Sequence, residues 1–175
     1  GEEIIIHCQV VASDFRGIVE DATFIYSNFG KNVNAKIPVT ENGIQAIKYF
    51  AQRDEKVTAT ACFTTNQGMN AVLAGAQTCA FYYTSMLNSG MDANRTIEQM
   101  RKFIDAAGSN CLISGAHITS IAQIPILFEL GVDQVALPSQ IIREMVFCAE
   151  TEKVIQDFTA SWEQMYGKGK AIANL

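Results

Sequence analysis

The sequence predicts an α/β fold, a parallel sheet covered by helices, and three observations carry that prediction. Apolar runs rich in β-branched residues recur along the chain, and each is followed by a segment with helical apolar spacing. The helical segments open on Ser, Thr or Asp and several close on glycine. The 175 residues, 49% hydrophobic and 18% charged, suffice for one globular domain over 1–175 with a sizeable core. Two architectures meet these terms, a doubly wound open sheet and a (β/α) barrel. A dinucleotide-binding sheet would carry a GxGxxG at an early strand-helix turn, and none is present.

Ile4 to Val11, IIIHCQVV, reads as a buried strand ended by Ala12 and Ser13. Ser13 or Asp14 caps a helix in which Ile18, Val19, Ala22, Ile25, Tyr26 and Phe29 recur until Gly30. A strand holding Lys36 follows, then a helix capped by Thr40 and running to about Asp54. Lys56 to Phe63 is a third strand, and Thr64, Thr65 and Asn66 lead into a short helix ending at Gly75. Gln77 to Tyr83 is the fourth strand, followed by a loop from Thr84 to Ala93 and a helix from Arg95 to Ala107. Asn110 to Ser114 is strand five, Ser120 to Leu130 its helix, and Val132 to Leu137 strand six. Pro138 and Ser139 open a helix to about Cys148, and an amphipathic helix over about 152–166 ends the chain. That makes six strands where a closed barrel of this kind has eight.

Composition narrows the partners. A net charge of −5 and scattered basic residues argue against a broad nucleic-acid surface, which needs clustered Lys and Arg. The longest uncharged stretch, Asn110 to Leu127, is broken by polar residues and a proline, so no membrane span is expected. No signal sequence is recognisable, and the cytoplasm is the expected location. Cys8, Cys62, Cys79, Cys111 and Cys148 form no CxxC pair and read as small buried thiols of a reducing compartment. His7 and His117 form no recognisable ligand motif, so no metal site is expected.

The stretch VNAKIPVTENG, from Val33 to Gly43, carries the chemistry. Lys36 sits among Ala35, Ile37, Pro38 and Val39, where a charged amine is costly unless it has a task or reaches water. A strand lysine by itself is ordinarily an edge or snorkelling residue. Here the strand turns directly into a helix, which places Lys36 near the carboxyl end of the strand, where α/β barrels keep their chemistry. A desolvated lysine is available as the free amine that attacks a ketone to form a Schiff base.

The runs KIPVTENGIQAIKYF, TATACFTTNQGMNAVLAGA and GVDQVALP, in that order, closely resemble the small transaldolase family, particularly its fructose-6-phosphate aldolase branch. The similarity extends over nearly the whole chain, to the terminal helix with Phe158 and Trp162. The resemblance implies a (β/α)8 TIM barrel of the class I aldolase type, lacking its first two strands in this sequence. It implies a mechanism without metal or cofactor, with Lys36 as the nucleophilic amine. Gln9 and Tyr82 stand where aldolase-like members have Gln and Tyr and where transaldolases tend to have Glu and Phe. Thr60 matches the threonine that shares the catalytic water with these two. A phenol, an amide and a hydroxyl can together hold one water that moves protons. The resemblance also implies homo-oligomers, commonly a pentamer or decamer, with the last helix reaching a neighbour.

Two departures from the family pattern stand out. The family's Asp and its Thr-Asn-Pro-Ser motif on the first two strands have no counterpart, since Thr64, Thr65 and Asn66 lie on a later strand. The expectation is that the sequence shown omits an N-terminal segment, or that another chain supplies it. At the phosphate site, Thr84 and Ser85 replace the family's Asn-Arg pair, and the region Ser114, Gly115, Ala116, His117 replaces its Ser-aromatic-basic run. A Ser hydroxyl cannot replace a bidentate guanidinium, so Ser85, Ser114 and His117 are the candidate substrate contacts at a weakened phosphate site. Three functions follow. The first is a Schiff-base aldolase acting on a small hydroxyketone such as dihydroxyacetone and an aldehyde. The second is a transaldolase passing dihydroxyacetone between sugar phosphates. The third is an inactive member serving as a binding or assembly subunit.

Overall fold

The structure, a computed structural model, describes residues 4–174. Its strands owe their placement to an alternation that apolar runs conceal. In VNAKIP, Val33, Ala35 and Ile37 are fully buried beneath helices, while Asn34 and Lys36 turn to the other face. The same period of two recurs in VTATAC and TCAFY, with Val57, Ala59, Cys79 and Phe81 on the helix side and Thr58, Thr60, Thr78 and Tyr82 opposite.

The strands are β1 (Ile6–Gln9), β2 (Val33–Pro38), β3 (Val57–Cys62), β4 (Thr78–Tyr82), β5 (Leu112–Ala116) and β6 (Gln134–Val135). The helices between them are α1 (Phe15–Phe29), α2 (Glu41–Ala51), α3 (Thr65–Ala74), α4 (Tyr83–Asn88), α5 (Ala93–Ala106) and α6 (Gln123–Glu129). The sheet runs β1-β2-β3-β4-β5-β6, and every neighbouring pair is parallel. A doubly wound sheet reverses its strand order at a switch point, and this order never reverses. Successive helices α1, α2, α3 and α5 pack neighbour on neighbour along one face. One cavity of about 250 Å³ touches side chains from all six strands. A flat sheet would hold its outer strands about 24 Å apart at about 4.8 Å per step. The sheet is therefore curled around its inner face, as in the wall of a barrel.

Local signals set the element ends. Asp14 accepts from the Gly17 amide, Thr40 from Gly43 and Thr64 from Gln67, the last in a reciprocal capping box. Gly75 closes α3 at φ 101°. After Pro138 the chain forms a second compact unit, with α7 (Ser139–Glu144) and α8 (Ala149–Tyr166). Within it Trp162 Nε1 donates to the Lys170 carbonyl at 2.7 Å and its ring lies 4.3 Å from that of Tyr166. That unit begins after Pro138.

Several expectations need correction. The first strand is not buried: Ile6, His7 and Gln9 are exposed, because among the described residues β1 pairs with β2 alone and has no neighbour on its other side. The stretch expected as a loop after the fourth strand opens with α4, which stacks directly on the end of β4. Strand five starts at Leu112 and strand six shrinks to Gln134 and Val135, where Gly115 meets Val135 in register. Of the five thiols, Cys62, Cys79 and Cys111 are buried, Cys8 is half-buried and Cys148 is exposed.

Candidate active site

The register places one row of inward side chains side by side: Gln9 beside Lys36, Lys36 beside Thr58, and Thr58 beside Thr78. Lys36 is half-buried, with Ala35 and Ile37 on either side fully enclosed. Its backbone carbonyl accepts from the Val10 amide at 3.1 Å, and the Thr60 carbonyl accepts from the Val39 amide at 3.0 Å. These bonds tie the carboxyl ends of β1, β2 and β3 together around the lysine. Asp21 secures the loop after β1 by accepting from the Val11 and Ala12 amides at 2.8 and 2.9 Å, and those bonds hold its carboxyl below the usual range.

On the carboxyl side of that row, Thr60 Oγ1 donates to the Tyr82 hydroxyl at 3.5 Å. Thr60 is buried and Tyr82 is half-buried. A bulge shapes this corner: β3 carries one extra residue between Ala59 and Cys62, and Ala61 takes φ 54°. The second left-handed residue beside Tyr82 is His117, also at φ 54°, just past β5. Non-glycine residues in this region cost on the order of 1 kcal/mol or more and concentrate at functional sites. The turn brings His117 Nδ1 to 2.6 Å from Ser85 Oγ on α4, with the imidazole 6.5 Å from the Tyr82 ring. Thr84 and the Thr119 amide both bond to Gln123 Oε1, which fastens the loop carrying His117.

The structure thus brings Thr60 to Tyr82 and Ser85 to His117. Ser114 lies in the cavity wall with Lys36. Gln9 shares the lysine's register, but its side-chain amide donates to the Val10 carbonyl at 3.1 Å. Among the described residues no group of three His, Cys, Asp or Glu is arranged to hold a metal ion, and no helix is long and apolar enough to cross a membrane.

On the amino side of the row lies a set that sequence reasoning passed over. His7 Nδ1 is 2.7 Å from Thr58 Oγ1, and Asn34 Nδ2 donates to the same oxygen at 3.5 Å. Partial desolvation of the ring, on a residue that is exposed as a whole, and then the charge on Lys36 hold the His7 imidazole below its ordinary 6.5. The cavity is lined by His7, Lys36, Thr58, Thr78, Ser114 and Gln134 together with smaller residues. The signal was present: Thr58 and Thr60, or Asn34 and Lys36, are polar at alternate positions, which marks a second, hydrophilic face.

With that geometry established, comparison adds kinship. The family described as Transaldolase/Fructose-6-phosphate aldolase matches residues 1–172. A protein of Streptococcus pneumoniae (strain ATCC 700669 / Spain 23F-1) named "Probable fructose-6-phosphate aldolase" is 34% identical over 157 residues, which cover 90% of this chain and 71% of that protein.

Proposed function

This chain belongs to the transaldolase/fructose-6-phosphate aldolase family of enzymes, and on that premise we propose that it is a class I aldolase joining a small hydroxyketone to an aldehyde through a Schiff base on Lys36. The observation that supports this reading best is the placement of Lys36 on the inner face, in the wall of a cavity, with the Thr60–Tyr82 pair on the next two strands. On this reading the six-stranded sheet is part of an eight-stranded barrel of the class I aldolase type, lacking its first two strands in this sequence.

The Lys36 amine adds to the ketone carbon of a donor such as dihydroxyacetone, and the carbinolamine loses water to give an iminium. The iminium draws electrons from the adjacent carbon, whose proton passes to the water that Tyr82, Thr60 and Gln9 hold between them. The enamine carbon attacks the aldehyde, the new alkoxide takes a proton back through Tyr82, and water hydrolyses the iminium to release product and lysine. Ser85 and His117 meet the far end of the acceptor. This pair offers hydroxyl and imidazole rather than a guanidinium fork, which favours an acceptor without phosphate.

Borohydride reduction with dihydroxyacetone is the test. A reduced adduct on Lys36, absent in Lys36→Met, is the expected result, together with faster turnover of glyceraldehyde than of glyceraldehyde 3-phosphate. Efficient transfer from fructose 6-phosphate to erythrose 4-phosphate would replace the aldolase reading with transaldolase. No adduct with any ketone would leave the protein as a non-catalytic binding or assembly subunit.

A further inference from the structure

A lysine that attacks a ketone is useful only if its amine stands where the proton carriers are. A lysine stem is long and flexible, so on the inner face of a curled sheet it has two directions open to it, toward the carboxyl ends of the strands or toward their amino ends. Tyr82 and Thr60 lie on the carboxyl side of the row through Lys36. We infer that His7, bonded to Thr58 across the strand that carries Lys36, is a positioning residue that closes the amino side and turns the lysine toward Tyr82. The inference rests on the Schiff-base reading above.

Register carries it. His7 on β1 stands beside Asn34 on β2, and Thr58 on β3 stands beside Lys36. His7 Nδ1 nevertheless lies 2.7 Å from Thr58 Oγ1. Neighbouring strands are about 4.8 Å apart and two such steps separate β1 from β3, so the imidazole must reach over the inner face of β2 to make that bond. Its path crosses β2 between two inward side chains, Asn34 on the amino side and Lys36 on the carboxyl side, because Ala35 points the other way, beneath the helices. The charge on Lys36 is felt at His7, second to desolvation among the causes that lower the ring's affinity for protons. Thr58 is a firm anchor. It is buried, and its hydroxyl accepts from Asn34 Nδ2 at 3.5 Å, which leaves its own hydrogen to donate to Nδ1. A buried hydroxyl makes such a bond costly to lose. Gln9, the next inward residue of β1, turns instead to the adjacent Val10 carbonyl, so the reach across the sheet belongs to His7 and not to the strand. With the amino side occupied, the lysine loses the rotamers that carry its amine away from Tyr82, and less freedom remains to be lost when it attacks the ketone.

The experiment follows the rate at which borohydride traps dihydroxyacetone on Lys36, with unfolding in urea measured on the same samples. His7→Ala is expected to slow adduct formation about ten- to a hundredfold, as misdirected reacting groups do. Thr58→Val, a near-isosteric change that removes the anchor, is expected to slow it comparably, and the double variant to be no slower than His7→Ala, because both changes undo one brace. His7→Asn, whose amide reaches the place of Nδ1, is expected to recover most of the rate. A merely structural His7 gives other results: lower stability in urea with an unchanged trapping rate, losses that add in the double variant, or a His7→Asn protein as slow as His7→Ala. Any of these overturns the inference and leaves the aldolase reading standing. Should the variants fail to fold, the wild-type side chain decides: the chain has two histidines, so His117→Gln identifies the ring nitrogen resonances of His7, which are expected to shift when the Lys36 adduct is fixed by reduction. Resonances that do not move overturn the inference, and no adduct in the unaltered protein overturns both.

Discussion

At the scale of single residues, the proposed reaction separates covalent chemistry, on Lys36, from proton handling, on Tyr82. Tyr82 touches Thr60 through its hydroxyl and packs its ring 5.8 Å from Phe63. Tyr82→Phe keeps the packing and removes the proposed proton carrier. Its kcat should fall roughly 10²- to 10³-fold while the Lys36 adduct still forms, a split that steady-state kinetics and trapping resolve together. His7 makes a second prediction through pH. Its folded-state affinity for protons lies below the ordinary 6.5, so the unfolded chain binds the proton more readily. The stability it contributes is present above about 6.5 and is lost as pH falls through the lower folded value. His7→Phe should flatten the loss of stability between neutral and mildly acidic pH in urea titrations. Asp21, held below 3.8 by the Ala12 and Val11 amides, acts in the same direction at lower pH, and its contribution disappears as it protonates.

At the scale of elements, the turn from β2 into α2 holds the lysine strand against its helix. Thr40 caps α2 through the Gly43 amide at 3.1 Å, and the Thr40 amide donates to the Pro38 carbonyl at 2.9 Å. The turn is so close that a Cβ on Gly43 would collide with the Pro38 carbonyl oxygen. Because the obstacle is backbone, Gly43→Ala must move the turn itself, at a cost of about 1–3 kcal/mol. Denaturant unfolding should show that loss, with activity falling further than stability because Lys36 lies two residues before Pro38. On the helix side of β4, Gly68 of α3 performs a similar service, since a Cβ there would lie 2.7 Å from Phe81 Cζ, next to Tyr82. Phe81 is fully buried, and its place under α3 fixes the direction in which Tyr82 leaves the sheet.

At the scale of the whole molecule, the second unit presents apolar side chains along α8. None of the side chains of α8 is buried, and Phe158 and Met165 are 69% and 74% exposed. An apolar surface of this kind is ordinarily covered by another protein surface. The chain is expected to sediment as a homo-oligomer, and Phe158→Glu to shift it toward smaller species without loss of helical signal; a monomer for the unaltered protein would remove that expectation. Cys79 and Cys111 are the opposite case: their sulfurs lie 3.7 Å apart in the core, and their mutual bond and burial push the Cys111 thiol up, away from reactivity.

The sequence by itself determined the α/β class, the capped helix after Lys36 and the family kinship, because caps, glycines and apolar spacing act over a few residues and are written locally. It also showed Lys36 near the end of a strand. Tertiary structure alone decided three things. It showed that the strands follow one another in order around a curled sheet, and that β1 lies exposed at its edge. It showed that Ser85 meets His117 across 32 positions. It set His7 against Thr58 across 51, lining a hydrophilic cavity. Those pairings depend on register and curvature, and a shift of one residue in any strand would send the same side chains to the opposite face.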